Sequence, residues 1–450
     1  MKKYIKLAVP VVLALAAIYA CNKLSAPEIT AVSGDNPMYV SIDEAESMLL
    51  EIMDRMEAVG TKSSDDGSAR RTISGRYSMS FSDATKSGDE APVVHVFNFE
   101  DESGFAIMSG DKRITPLLAY TFKGSLEEGK PIENPGLALY MAGLENMISG
   151  VVLDTLMAVD TVPQFFLDME IYDMINGPCP VKWNQTHPYN YYCEEYSGGK
   201  LVTGCVATAV AQLMACYRYP DSYKEYTFDW DAMIEASNEP YVPEVPEVPK
   251  DTFVMANNDN WDPNKEPDSA MLQVARLMQQ LGLEENLANF TIGDSTSVYA
   301  NDEHIVRTLE NFGYLPGMQR VMVSSGDPYI SREENDFFSN NKGKVIDELK
   351  NGYYCTMSGS MREPYNNKEN WLLHCWIVHG LMSINLSNDL TKYYYKCNFG
   401  WGGYADGYYL ENVFNSYNGP NYKEHNVKAG NNTDYSEITF WHVIGIRNKE

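Results

Sequence analysis

The residues best suited to chemistry are a cysteine, a histidine and an asparagine that lie far apart in the chain. Cys205 follows Gly204 directly and opens the run CVATAVAQLMACYRYP. Val206, Ala209, Val210, Leu213 and Tyr217 recur there at helical spacing, so the run predicts a helix that begins at the cysteine and is stopped by Pro220. First-turn N–H groups of a helix are unpaired and carry partial positive charge. They stabilise a thiolate at Cys205, lower its pKa, and can hold a developing oxyanion. Gly204 lacks a Cβ and lets the backbone approach a substrate. Cys216, three turns further on, has neither feature and reads as structural. Free cysteines are commonly inert core residues, so Cys205 alone would not establish a nucleophile.

A nucleophilic cysteine needs a base, and the base needs an orienting partner. The segment NWLLHCWIVHGLMSINLSNDLTKYYYKCNFGWGGYADGYYL reads as strand, polar turn (Asn385 to Asp389) and strand. A near-symmetric hairpin turning at Leu386 sets His374 opposite Asn398, on one face. The outcome is a Cys-His-Asn set. His379 is the rival base. It faces the other side of the strand with Tyr393 as its expected partner, and is better read as a packed or surface histidine. The same pairing brings Cys375 opposite Cys397, as two buried thiols or as a cross-strand disulfide. His95 lies in the N-terminal third, and His187, His304, His425 and His442 have no matching partner.

Several elements must hold these groups in place. Ser41 to Met56 predicts an amphipathic helix with Ser41 and Glu44 as a capping box and Ile42, Ala45, Leu49, Ile52 and Met56 on one face. Val93 to Phe99, Gly104 to Ser109 and Leu117 to Phe122 predict an antiparallel meander. Lys62 to Thr72 reads as a polar loop, and Tyr241 to Asp251 (YVPEVPEVPKD) as an extended Pro/Glu-rich insertion. Ser269 to Leu283 predicts another helix, and the region from Tyr353 onward predicts strands. The first third holds no catalytic constellation. A bland domain ahead of a reactive cysteine points to a propeptide.

The chain is long enough, at 450 residues, for two or three domains. A net charge of -27 argues against a nucleic-acid partner, which needs clustered Lys and Arg. Lys2, Lys3 and Lys6 precede an apolar run from Leu7 to Ala20, and Cys21 follows. This is a signal peptide of lipoprotein type with Cys21 as the lipidated residue, although Tyr19 fits loosely; the alternative is an ordinary secretory signal. Seven further cysteines remain, an odd number without a CxxC pair, which argues against a zinc or redox site.

Taken together, the motifs resemble the streptopain family of papain-like cysteine peptidases. WNQTHPYN (Trp183 to Asn190), GCVATAVAQLMACYRYP, VARLMQQLG, LENFGY, HCWIVHG and NFGWGGYADGYYL carry the resemblance, in order, over about residues 180–450. VFNFEDESGFAIMSGDKRITPLLAYTFKG resembles the family's inhibitory propeptide. The resemblance implies that Cys205 is the nucleophile and His374 the general base and acid. It gives Asn398 as the orienter of His374 and Gln185 as an oxyanion donor beside the Cys205 N–H. By the same resemblance Trp401 shields the His374–Asn398 pair, and Gly402 and Gly403 shape the cleft loop. It also implies a hydrophobic preference two residues before the cut bond. His379 stands where the family usually has an acidic residue, Cys375 where it has a small one, and Phe399 replaces a tryptophan.

The expected fold is α+β. A papain-like two-subdomain peptidase, with a helical part carrying the nucleophile and an antiparallel sheet carrying His and Asn, follows a small α+β propeptide domain. The expected division is signal peptide 1–20, propeptide 21–165 and catalytic domain 166–450, with the maturation cut between Gly150 and Pro180. The expected activity is that of an exported cysteine endopeptidase zymogen that needs no metal or cofactor. Its partners are protein or peptide substrates, its own propeptide as inhibitor, and the membrane through the lipid anchor. The alternatives are a catalytically silent surface binding protein on the same fold, and an inhibitor of another protease.

Overall fold

The computed structural model describes residues 38–60, 71–80, 93–155, 170–175, 179–196, 199–238, 267–287, 302–324, 341, 343–362, 371–386, 390–414 and 438–449. The signal segment with Cys21, most of the polar stretch from Lys62, the Pro/Glu-rich insertion and His425 lie outside these residues.

The chain opens with helix α1 (Ile42–Gly60). Its first turn is capped where the Glu44 N–H donates to the Ser41 hydroxyl (3.2 Å). Ala45, Leu49, Ile52 and Met56 are buried, as their spacing predicts. Strands β1 (Ile73–Ser80), β2 (Val93–Phe99), β3 (Phe105–Ser109) and β4 (Leu117–Thr121) form an antiparallel meander against that face. Helix α2 (Pro135–Thr155) follows. The sequence carries its start signal: Asn134 Oδ1 accepts the N–H groups of Gly136 and Leu137, and Pro135 sits at the first helical position.

Beyond this lie β5 (Glu170–Ile175), helix α3 (Cys205–Tyr217), α4 (Trp230–Asn238), α5 (Ser269–Gly282) and α6 (Asp302–Asn311). Then come strands β6 (Gln319–Ser324), β7 (Cys355–Arg362), β8 (Trp371–Leu386), β9 (Leu390–Asn398), β10 (Gly407–Leu410) and β11 (Ile438–Ile444). Helix α3 begins at the expected cysteine. It ends before Pro220, because Arg218 takes a left-handed conformation (φ 48°) as its C-cap.

Among the described residues these eleven strands form one sheet, ordered β1-β2-β3-β4-β10-β9-β8-β7-β11-β6, with β5 paired to the far half of β8, and two small two-stranded sheets stand apart from it. The meander of the first third is therefore continued, through β4 and β10, by the sheet that carries His374 and Asn398. One hydrophobic core lies under α1, α2 and the sheet. A second gathers α3, α4, α5 and α6 against residues such as Cys375 and Ile377 of β8. This arrangement is α+β, with the cysteine on a helical unit and the histidine on the antiparallel sheet.

The hairpin register differs from the expected one. Leu386 pairs with Leu390, and a bulge between Val378 and Gly380 shifts the ladder again, so Asn398 stands opposite Ile377. Cys397 stands opposite Val378, and Cys375 opposite Ser358 of β7. A Cys375–Cys397 disulfide is thereby excluded, and all seven cysteines among the described residues are free thiols. Tyr393 pairs with Ser383 instead of His379, which is buried at the bulge. A bulge adds one residue to one strand, and no periodicity in the sequence marks it.

Candidate active site

Gly204 is the N-cap of α3 with φ 85° and ψ 147°, a conformation open essentially to glycine alone. It sets Cys205 at the first position of the helix, partly exposed, with the rest of the helix through Cys216 buried. Gly204→Ala should therefore destabilise the chain by about 1–3 kcal/mol, the usual cost of forcing a side chain into this region. A denaturant melt of the two proteins checks this, and an unchanged midpoint would refute it.

The Cys205 sulfur lies beside β8. Burial pushes its pKa up, and the main-chain N–H groups of Cys375, Val206 and Cys205 pull the other way. The net shift is upward, opposite to that expected from the helix terminus. The physical reason is that the helix N–H groups are outweighed by desolvation, with no imidazolium compensating for it.

His374 is adjacent in sequence to Cys375 and is buried. Its Nε2–H donates to the main-chain carbonyl of Phe399 (2.8 Å). Its ring stacks on Trp376 (5.9 Å, 21°) and meets Trp401 edge-on (6.3 Å, 82°). Burial lowers its pKa to about 4, against a small upward pull from the Phe399 carbonyl. Asn398 does not orient this ring. Its Nδ2 donates to Val181 O (2.8 Å) and to Cys179 Sγ (3.7 Å), and its Oδ1 accepts the Gly400 N–H (3.0 Å).

Gln185 is held near the cysteine through its backbone, because the Thr203 N–H donates to its carbonyl (3.0 Å). Two residues earlier, the Trp183 carbonyl accepts the Gly402 N–H (3.1 Å), so the Gln185 segment and the Trp401–Gly403 loop are joined. The structure thus brings Cys205, His374, Gln185, Trp401, Gly402 and Gly403 into one region, and places Asn398 there facing away from the imidazole. Burial and the neighbouring Cys179 thiol together push the Cys216 pKa well up. A second Cys–His contact, Cys355 Sγ to His442 Nδ1 (3.6 Å), is fully buried and out of a substrate's reach.

The N-terminal third touches this region directly. Lys123 Nζ donates to Gly402 O (2.9 Å), Asn134 Nδ2 to Tyr404 O (3.1 Å), and the Tyr404 hydroxyl to Ser125 O (2.6 Å). Gly136 at the start of α2 packs so closely on the Phe399 ring that a Cβ there would lie 2.1 Å from it. The residue whose carbonyl holds His374 is thus clamped by the N-terminal domain. Sequence reading missed this device because the acceptor is a main-chain carbonyl.

Four histidines are kept neutral by burial: His95, His187 (about 4), His374 (about 4) and His442. The unfolded chain takes up protons near pH 6.5, while the folded chain resists until lower pH. Stability is then full above about pH 6.5 and is lost as pH falls toward 4. The thermal midpoint of the full chain should fall across that window. A flat profile would contradict it.

Comparison with known proteins agrees with the motifs. The Spi protease inhibitor family matches residues 40–148, and the Peptidase C10 family matches residues 183–409. Streptopain of Streptococcus pyogenes is 25% identical over 344 residues, which span 72% of this chain and 74% of streptopain. The thiol protease/hemagglutinin PrtT of Porphyromonas gingivalis is 28% identical over 141 residues, 29% of this chain and 16% of PrtT. Among solved structures, a fragment of Prevotella intermedia prointerpain A aligns with a TM-score of 0.44 and 16% identity, covering 79% of this chain and 96% of the fragment. The Cys205 helix, the His374 strand and the Asn398–Gly403 loop all fall within the matched span, and the chain belongs to the Peptidase C10 family of cysteine peptidases.

Proposed function

We propose that the chain is an exported endopeptidase made in latent form, with the domain ahead of about residue 165 as its inhibitor. In the active form the Cys205 thiolate attacks a peptide carbonyl. The Cys205 N–H and Gln185 hold the oxyanion. His374 gives its proton to the leaving amine, then takes one from water as the acyl group is released. Asn398 turns to orient His374, Trp401 shields that pair, and Gly402 and Gly403 leave room for the substrate.

One observation carries the latency: the His374 imidazole is bonded to Phe399 O, whose residue is packed against Gly136 of the N-terminal domain. A thiol without its imidazolium partner is a poor nucleophile, in keeping with the raised Cys205 pKa. Removing the domain would free Phe399, the Trp401–Gly403 loop and His374 together. Strand β5 pairs with β8, which favours a cut between Thr155 and Glu170 that leaves β5 with the catalytic sheet. With Cys21 lipidated, that cut also releases the enzyme from its anchor. The captive histidine fits a permanently silent binding protein equally well, so activity after processing decides between them.

The test uses protein lacking residues 1–21, before and after limited proteolysis. Casein cleavage and labelling by an epoxysuccinyl thiol reagent should appear only after the N-terminal third is cut. Both should vanish in Cys205→Ala. Processed, reduced parent that neither cleaves nor labels would overturn the catalytic reading in favour of the silent protein.

A further inference from the structure

Helix α3 is apolar along its buried length except for Thr208 and Gln212, and both are fully buried. Gln212 sits two turns after the nucleophile. Its Oε1 accepts the Trp183 main-chain N–H (3.0 Å). That bond fixes the orientation of the amide, since a backbone N–H must face the oxygen. The Nε2 end is buried and has no hydrogen-bond partner among the described residues. Such an orphan is costly, because the group has given up water and gained nothing.

The direction of the orphan is informative. Nε2 lies 3.6 Å from where a Cβ on Gly400 would stand, and Gly400 has φ 67°. In that left-handed conformation a Cβ crowds the neighbouring carbonyls of its own backbone. The donor end therefore lies against Gly400, the residue that follows the Phe399 carbonyl. In the latent form that carbonyl is already taken by His374. Phe399 is fully buried, so once His374 turns toward Cys205 its carbonyl becomes a second orphan, an acceptor without a donor. One buried donor without an acceptor and one future acceptor without a donor thus border the same space.

We propose that Gln212 is a positioning residue of the active enzyme, whose Nε2–H takes over the Phe399 carbonyl when His374 releases it. Its Oε1 meanwhile keeps Trp183, and with it the Gln185 segment, against α3. A single amide then ties the oxyanion side of the cleft to the histidine side. The loop settles one way with His374 as donor and another way with Gln212 as donor, which gives the active arrangement its own stabilising bond. This inference rests on the latency reading above.

The experiment compares parent, Gln212→Met and Gln212→Glu, each processed and counted by active-site titration with the epoxysuccinyl reagent so that only folded sites are scored. Gln212→Met removes both ends of the amide. Gln212→Glu keeps the acceptor for Trp183 and, when protonated, regains a donor. With a peptide substrate, Gln212→Met should lower kcat per titrated site roughly ten- to a hundredfold with KM within about twofold, as expected for a lost buried hydrogen bond. Gln212→Glu should fall between the two. In the inactive Cys205→Ala background, Gln212→Met should lower the melting temperature of the processed form more than that of the full chain, which never makes the Phe399 bond. Parental kcat in Gln212→Met, or equal melting losses in both forms, overturns the proposal. If Gln212→Met yields no titratable sites, Gln212→Glu decides: a kcat indistinguishable from the parent at every pH where the carboxyl is ionised overturns it. A Cys205→Ala protein that remains active would instead sink the catalytic reading itself.

Discussion

Processed enzyme carrying His374→Ala should lose roughly six orders of magnitude in kcat/KM, the scale on which removal of a nucleophile's base is felt. The argument is geometric before it is chemical. His374 is the residue next to Cys375, whose main-chain N–H faces the Cys205 sulfur. No other described histidine has that relation to the cysteine: His379 is buried at the β8 bulge, and His442 is enclosed with Cys355. The substitution has a second signature. Since burial holds the His374 pKa near 4, its removal deletes one of the groups that make the full chain acid-sensitive, and the midpoint should fall less steeply between pH 6.5 and 4. Peptide hydrolysis by the processed protein and melting of the full chain measure the two effects separately. Activity within tenfold of the parent would remove His374 from the mechanism.

The second large effect is expected at the seam between the two parts of the sheet. Gly407 opens β10 and pairs with Thr121 of β4. A Cβ at Gly407 would stand 2.3 Å from Tyr120 O and 2.6 Å from Thr121 Cα. These are main-chain atoms of a paired strand and cannot swing aside as a side chain can. Gly407→Ala should therefore force β4 from β10 at about 1–3 kcal/mol, the usual cost of overpacking. That weakens the hold of the N-terminal domain by roughly ten- to a hundredfold. The unprocessed variant should then label at Cys205 where the uncut parent does not, while the processed enzyme keeps parental kcat. An uncut variant that labels no more than the uncut parent would mean that the seam does not maintain latency.

The sequence made the elements far more legible than their register. Gly204 before Cys205, the short apolar run of Val93 to Phe99 and the spacing in α1 each report a local preference, and each element formed where its pattern lay. Helix α2 was not read from the sequence, because it is apolar nearly all round and shows little periodicity, and its Asn134 cap stands out only in the folded chain. The His374–Asn398 pairing failed for a specific reason. Hairpin register depends on where the chain turns and on any bulge, and here the turn comes later than Leu386 and a bulge sits at His379. The upward shift of Cys205 was hidden for a related reason, since a helix terminus is visible in sequence and desolvation by distant strands is not. Gln212 left a trace, a lone amide between Ala211 and Leu213 in an apolar helix, but its partner Trp183 is 29 residues away.

Under the maturation proposed above, the joined sheet has a further consequence. Release of the N-terminal domain would strip β10 of its neighbour and leave it as a bare margin. Unpaired N–H and C=O groups on such a margin can template any extended chain, including a second copy of the enzyme. Here the margin is only four residues long, Gly407–Leu410, and three register pairs join it to β4. A longer junction would hold the inhibitor more firmly but would leave a stickier product. On the proposed function the brevity of β10 sets latency against solubility, in a strand whose sequence alone shows only a glycine, two tyrosines and a leucine.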